Sequence, residues 1–214
     1  MAQKDVADAV IEAQGRLFNV EMGADIARDQ PAQWFHWLVG AILMSSRIGH
    51  ANAVRAAAAL KREKLHTVEG ILGSERSRRI KVLNENGYAR YDTQGADYIH
   101  AAADLAKERY DGDLRRLREE AADPQAIADA LTGFKGIGKV GAEIFCREAQ
   151  MVWTELHPQA GGPALDAAAE LGLPKDAKRL AGLAGSPERM ARLVAALTRA
   201  ALDGPAEEVR RVAG

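Results

Sequence analysis

The chain has 214 residues, 47% hydrophobic and 28% charged, the balance of a globular protein able to bury a real core. Lys plus Arg number 29 against 30 Asp plus Glu, for a net charge of -1; this excludes a polybasic binder working by bulk charge and leaves room for a local basic stripe. A single cysteine excludes a disulfide framework and any four-cysteine zinc or iron–sulfur site.

From the N-terminus, the first ten residues carry acids early and lack the apolar core of a signal peptide. The longest apolar run, 37–44, is far short of the roughly 20 residues that span a bilayer. With one cysteine this suits a reducing compartment, so a cytoplasmic protein without a membrane partner is expected.

Helical spacing then dominates. Pro31 opens a segment, QPAQWFHWLVGAIL, that is apolar almost all round and reads as a central helix. Residues 52–60 are Ala-rich and helical by propensity. Thr93 is the expected cap of a helix whose Ala96, Ile99, Ala103 and Leu105 share a stripe. Further helices are expected at 124–131, 142–156, 163–171 and 187–202. No stretch alternates long enough for a strand. The expected class is all-α, a two-lobed helical bundle with a cleft.

One segment stands apart: Leu131-Thr-Gly-Phe-Lys-Gly-Ile-Gly-Lys-Val-Gly-Ala142. A helix enters a Gly-x-Gly turn and another helix leaves it. Gly136 and Gly138 allow unusual backbone geometry and close approach of another backbone. The turn opens a helix N-terminus, where unpaired N–H groups and the positive dipole end can hold a phosphate, and Lys135 and Lys139 flank it. The plain alternative is a helix–helix turn whose glycines act as C-cap and spacer.

The run Phe134-Lys-Gly-Ile-Gly-Lys-Val-Gly-Ala142 resembles the helix-hairpin-helix (HhH-GPD) of the endonuclease III superfamily of DNA glycosylases. In that family a Gly/Pro-rich loop and an essential aspartate follow, and here Gly161-Gly-Pro-Ala-Leu-Asp166 is similar. Upstream, Ile42-Leu-Met-Ser-Ser-Arg47 resembles the minor-groove wedge loop. Segments 91–99 and 110–113 resemble the helix and turn before the hairpin. The likeness runs from about Pro31 to Leu202.

The resemblance implies one HhH-GPD-like unit over 1–214. One lobe would be 31–145, with the hairpin at 131–145; the other would be 1–30 with 146–214. It implies a monomeric, nucleoid-associated DNA-repair enzyme that flips a damaged base from double-stranded DNA and hydrolyses its N-glycosidic bond. Three departures shape that expectation. Val140 stands where bifunctional members carry the nucleophilic lysine, so no Schiff base forms there and the expected enzyme is monofunctional, without β-lyase activity. No iron–sulfur cluster is expected, while the resemblance allows a monovalent cation at the hairpin. The spacer before Asp166 is longer, with 155–162 as the insertion.

Asp166 is the expected catalytic group, its carboxylate stabilising positive charge at the sugar and orienting a water; read locally, it could instead cap a helix at 167–171. Gly136, Gly138, Lys135 and Lys139 are expected to hold phosphate. Arg47 would fill the gap left by an extruded base, or be a solvated loop arginine, with Ser45 and Ser46 beside it. Arg78 and Arg79, in the cluster 76–81, are candidates for a second phosphate contact, or a solvated helix face. Two other readings stay open: the same fold binding DNA without catalysis, and a helical protein-interaction adaptor.

Overall fold

The computed structural model describes residues 2–213, and every regular element among them is helical. In chain order the α-helices are α1 Gln3–Gln14, α2 Phe18–Met22, α3 Pro31–Met44, α4 His50–Arg62, α5 Val68–Leu72, α6 Arg76–Leu83 and α7 Asp92–Tyr110. There follow α8 Arg115–Glu120, α9 Pro124–Thr132, α10 Lys139–Ala149, α11 Gly162–Glu170, α12 Ala177–Ala184, α13 Pro187–Asp203 and α14 Glu207–Ala213. None is long and apolar enough to cross a membrane.

The chain divides into two compact units, Asn19–Phe145 and Met1–Phe18 with Cys146–Gly214. In the first, α3 is the central element. It starts with Pro at its first turn, where the missing N–H costs nothing. Eleven of its residues, Gln33 to Leu43, are buried, so it packs on all sides. Trp37 donates through Nε1 to the Phe145 carbonyl at 3.0 Å, and Trp34 donates to Asp29 Oδ1 at 2.7 Å. Both indoles thus bury large apolar surface while their polar corner stays satisfied.

Residues 19–30, grouped by sequence with the terminal lobe, belong instead with this unit. Met22 packs on Gly40 so closely that a Cβ there would lie 2.4 Å from Met22 Cε. Asp25 N–H donates to Gln33 Oε1, and Arg115 Nη1 donates to the Asp29 carbonyl. These contacts hold 19–30 on α3 and α8, and no composition signal marks them.

α7 begins at Asp92 rather than being capped by Thr93; its N-cap, Tyr91, makes no side-chain capping bond. The helix expected at 142–156 starts earlier and ends earlier, as α10, and a short 3-10 turn, Thr154–Leu156, follows. In the second unit α13 buries nine residues, including Met190, Leu193, Val194 and Leu197. α1 packs there with Val6, Val10 and Ile11, and α11 with Ala164, Ala167 and Ala168. Small side chains on α11 let its axis approach closely. Asp176 and Ser186 cap α12 and α13, accepting from Arg179 N at 2.8 Å and Arg189 N at 3.2 Å.

His36 on α3 is fully buried. Its Nε2–H donates to the Ala57 carbonyl at 2.9 Å, its ring meets His66 edge-on at 5.6 Å, and its Nδ1 has no partner. Burial first, then His66 and Lys61, push its pKa down to about 4. The unfolded chain therefore binds this proton between about pH 4 and 6.5 and the folded chain does not. Stability should fall as pH drops through that window, by roughly 3 kcal/mol from this group. Urea unfolding at pH 4.5 and 7 should show that loss in the parent and a flatter profile in His36→Gln; identical profiles would contradict it.

Candidate nucleic-acid interface

Asp123 caps α9, accepting from Ala126 N at 2.8 Å, and Pro124 follows it at the first turn. The chain then turns through Phe134–Lys135–Gly136–Ile137, closed by Ile137 N–H donating to the Phe134 carbonyl at 2.9 Å. Gly136 has φ +92°, the third position of a type II turn, where only glycine is at ease. Leu131, Phe134 and Ile137 point inward and are buried, with Phe134 stacked on Tyr110 at 6.1 Å. Lys135, Gly138, Lys139 and Val140 point outward and are exposed.

A second constraint falls on the same glycine. A Cβ at Gly136 would lie 2.5 Å from Tyr98 Cδ2 and 3.2 Å from Ile42 Cγ2, so the turn sits directly on α3 and α7. Gly138 has neither restriction: no atom lies within 4 Å of its notional Cβ, and it is absent from the positive-φ residues. The expectation that both glycines shape the turn is thus corrected to Gly136 alone. Gly138 instead stands immediately before α10, its carbonyl accepting from Ala142 N at 3.0 Å. The first N–H groups of that helix have no intrahelical acceptor, and Gly138, Lys139 and Val140 there are exposed.

The 45–49 loop lies alongside. A Cβ at Gly141 would be 2.6 Å from Ser45 Oγ, so the α10 backbone at Gly141 packs on the Ser45 side chain. Ser45 Oγ donates to the Ala41 carbonyl. The buried Tyr88 hydroxyl donates to the Leu43 carbonyl at 3.1 Å and is bonded to Ser46 Oγ at 2.6 Å; burial pushes its phenol pKa up. Ser46 is therefore a tether for the loop. Arg47, at the tip, is exposed and makes no hydrogen bond or ion pair among the described residues. Loop, hairpin and the start of α7 enclose a groove of about 460 Å³.

The basic cluster divides. Arg79 is 4% exposed and donates to the carbonyls of Ile71 and Ser74 and to Ser74 Oγ. It caps the end of α5 from within, so its assignment to phosphate is withdrawn: its donors face inward. Arg78 is spent on Glu63, through the carbonyl at 3.0 Å and the carboxylate at 3.2 Å. Arg76 forms a fork with Asp97 at 2.7 and 2.9 Å.

Asp166 lies in the other unit. It does not cap a helix at 167–171, because α11 already begins at Gly162 with Gly161 as N-cap and Pro163 in its first turn. It stands on the second turn, its side chain 61% exposed and ion-paired with Lys175 at 2.6 Å. The long spacer before it folds onto Gln150. That buried amide donates to the Gln159 carbonyl at 2.9 Å and accepts from Gln159 N at 2.9 Å. Gln150 gave no signal in sequence, since nothing local separates a buried amide from a solvated one. Tyr88 was equally silent. Cys146 is buried, and one thiolate does not fit a four-ligand cluster. No group of three His, Cys, Asp or Glu side chains is placed for a metal among the described residues.

No family model matches the chain, and no curated protein sequence matches it. Among solved structures, the chain is similar to a trapped endonuclease III–DNA covalent intermediate in an estranged-adenine complex. The TM-score is 0.51 at 13% identity, covering 94% of this chain and 86% of that one. The fold is thus that of a helical endonuclease III-like protein.

The two hairpin glycines should separate cleanly on substitution. Gly136→Ala forces both a strained φ and a contact with Tyr98, and should cost about 2–4 kcal/mol in urea unfolding. Gly138→Ala should cost under about 1 kcal/mol. Equal losses at both positions would contradict the turn geometry.

Proposed function

We propose that the protein is a DNA-repair protein that binds double-stranded DNA by its backbone at the hairpin, with the tip of the 45–49 loop reaching into the duplex. One observation carries this reading. The N-terminal end of α10 is exposed at Gly138, Lys139 and Val140, its first N–H groups have no intrahelical acceptor, Lys135 is exposed just before it, and Arg47, with no partner among the described residues, lines the same groove as Gly138. Backbone donors at a helix N-terminus, flanked by ammonium groups, fit a phosphodiester better than any other common ligand. The likeness to a structure solved in covalent complex with DNA supports the same reading.

Val140 is 63% exposed and offers no amine. Lyase chemistry through an imine at that position is therefore outside the reading. Hydrolytic excision of a damaged base, the work of a monofunctional DNA glycosylase, is the second reading. It is favoured by the accessibility of the Asp166 carboxylate on a helix that follows a Gly-Gly-Pro start. Such a carboxylate could stabilise the oxocarbenium-like transition state and hold the attacking water. The Lys175 ammonium at 2.6 Å offsets part of that charge, which is why duplex binding is the primary reading and excision the secondary one.

Affinity for a fixed duplex, measured between 50 and 200 mM salt, tests the first. Engagement of about three phosphates gives a log–log slope of roughly -2 to -3, and Lys139→Ala should reduce its magnitude by about one. A flat salt response would overturn the proposal and favour a protein-interaction adaptor. A panel of single-lesion duplexes, treated with alkali to reveal abasic sites, tests the second. Excision by the parent should drop about 100- to 10,000-fold in Asp166→Asn. No excision of any lesion would leave a binding protein, and full excision by the variant would remove Asp166 from the chemistry.

A further inference from the structure

The unit formed by 1–18 and 146–214 holds a cluster of positive charge that the hairpin reading does not use. It starts at the end of α1. Arg192 Nε donates to the Gly15 carbonyl at 3.3 Å, and Arg199 Nη1 donates to the Gln14 carbonyl at 2.9 Å and to the Arg16 carbonyl. These bonds satisfy carbonyls that a helix end leaves without partners. Phe18 follows and is fully buried, and both Arg199 and Arg147 lie over its ring, their Cζ atoms 4.0 and 4.9 Å from the centroid. The two guanidinium groups are thus at most about 9 Å apart, close to one Debye length at physiological salt. Glu148, the residue after Arg147, is fully buried and accepts from Phe18 N at 2.8 Å. The Arg147 guanidinium itself makes no hydrogen bond or ion pair among the described residues, and its Nε is sealed from solvent without an acceptor.

We propose that Arg147, in the field of Arg199, is a binding site for one phosphate group. A cation withdrawn from water without an acceptor is costly, and a phenyl ring returns only part of that cost. Burial above all holds the Arg147 pKa below the ordinary arginine value; Glu148 opposes this and Arg199 adds to it. The guanidinium nevertheless stays charged. Its residue is partly buried, and its terminal nitrogens, unlike Nε, keep access to solvent, so the fork is open to a ligand while its stem is fixed. A guanidinium fork matches carboxylate or phosphate oxygens. Of these, phosphate carries more negative charge and more acceptor oxygens, and two neighbouring like charges favour it accordingly. The one carboxylate adjacent in sequence, Glu148, is turned to the Phe18 N–H instead.

The inference does not depend on the hairpin, and its test keeps the two apart. Unfolding temperature is followed as inorganic phosphate replaces chloride at constant ionic strength. The parent should show a saturable rise, about 4–7 °C once phosphate stands at about twenty times its Kd. Arg147→Met removes the fork and should lower that rise to below about a third. A second readout needs no variant: the side-chain N–H signals of Arg147, followed by NMR in the unmodified protein, should shift with the same phosphate midpoint. Two sources share this chemistry, a free phosphate ion and a phosphodiester of a DNA strand. An undamaged duplex moves the same Arg147 signals if the strand is the source and leaves them in place if the ion is. A rise that acetate reproduces, a rise equal in parent and variant, or Arg147 signals that phosphate leaves unmoved would each overturn the inference. The guanidinium groups would then be packing on Phe18 alone.

Discussion

Gly136 meets its neighbours at distances that leave no room for a side chain, and its φ of +92° is one that other residues adopt only under strain. That residue fixes the hairpin on Ile42 of α3 and Tyr98 of α7. Gly141 does the same on the other side, against Ser45. In both contacts a glycine backbone packs on side chains held by neighbouring elements, Tyr98 and Ile42 at Gly136 and Ser45 and Ile137 at Gly141, so the start of α10 and the 45–49 loop form one surface. Beneath it α3 is buried along Gln33 to Leu43, a platform held on every side. The phosphate site proposed there, made of N–H groups, needs a firm frame, because each donor must stay aimed without a side chain to adjust it.

The charge pattern follows a logic of subtraction. A chain with 29 basic and 30 acidic residues has no net field to attract DNA. Several arginines are occupied internally: Arg79 closes α5, Arg78 holds Glu63, Arg76 holds Asp97, and Arg115 forks onto Asp113 and reaches the Asp29 carbonyl. Arg47, Lys135 and Lys139 form no ion pairs among the described residues, and all three are exposed around one groove or its rim. Position rather than number therefore makes the surface basic, and a count of charges would miss it.

Much of the fold is legible in sequence because helical periodicity and N-terminal prolines are local signals. Pro31, Pro124 and Pro187 all fall in first turns. The turn at the hairpin is legible too, because glycines between two helical runs mark a local break. The failures are instructive. Arg79 looks like any member of a basic run, but Val82 and Leu83 follow it at three and four residues, and all three are buried on one helix face. That spacing was the available signal. Asp166 was placed at a helix start by the Gly-Gly-Pro before it, whereas Pro163 itself already sits in the first turn of α11. Gly138 could not be distinguished from Gly136 in sequence, since only the packing of α3 and α7 makes one of them obligatory.

The central claim is that DNA is held by backbone amides at the start of α10 together with the adjoining loop. Amide chemical shifts of the labelled protein, followed by NMR during titration with an undamaged duplex at low salt, test it most directly. The largest changes should fall on Gly136 to Gly141 and on Ser45 to Arg47, with His36, Ala57 and the rest of the core unmoved. Changes centred on Arg76, Arg78 and Lys81, or none at the hairpin, would contradict the account.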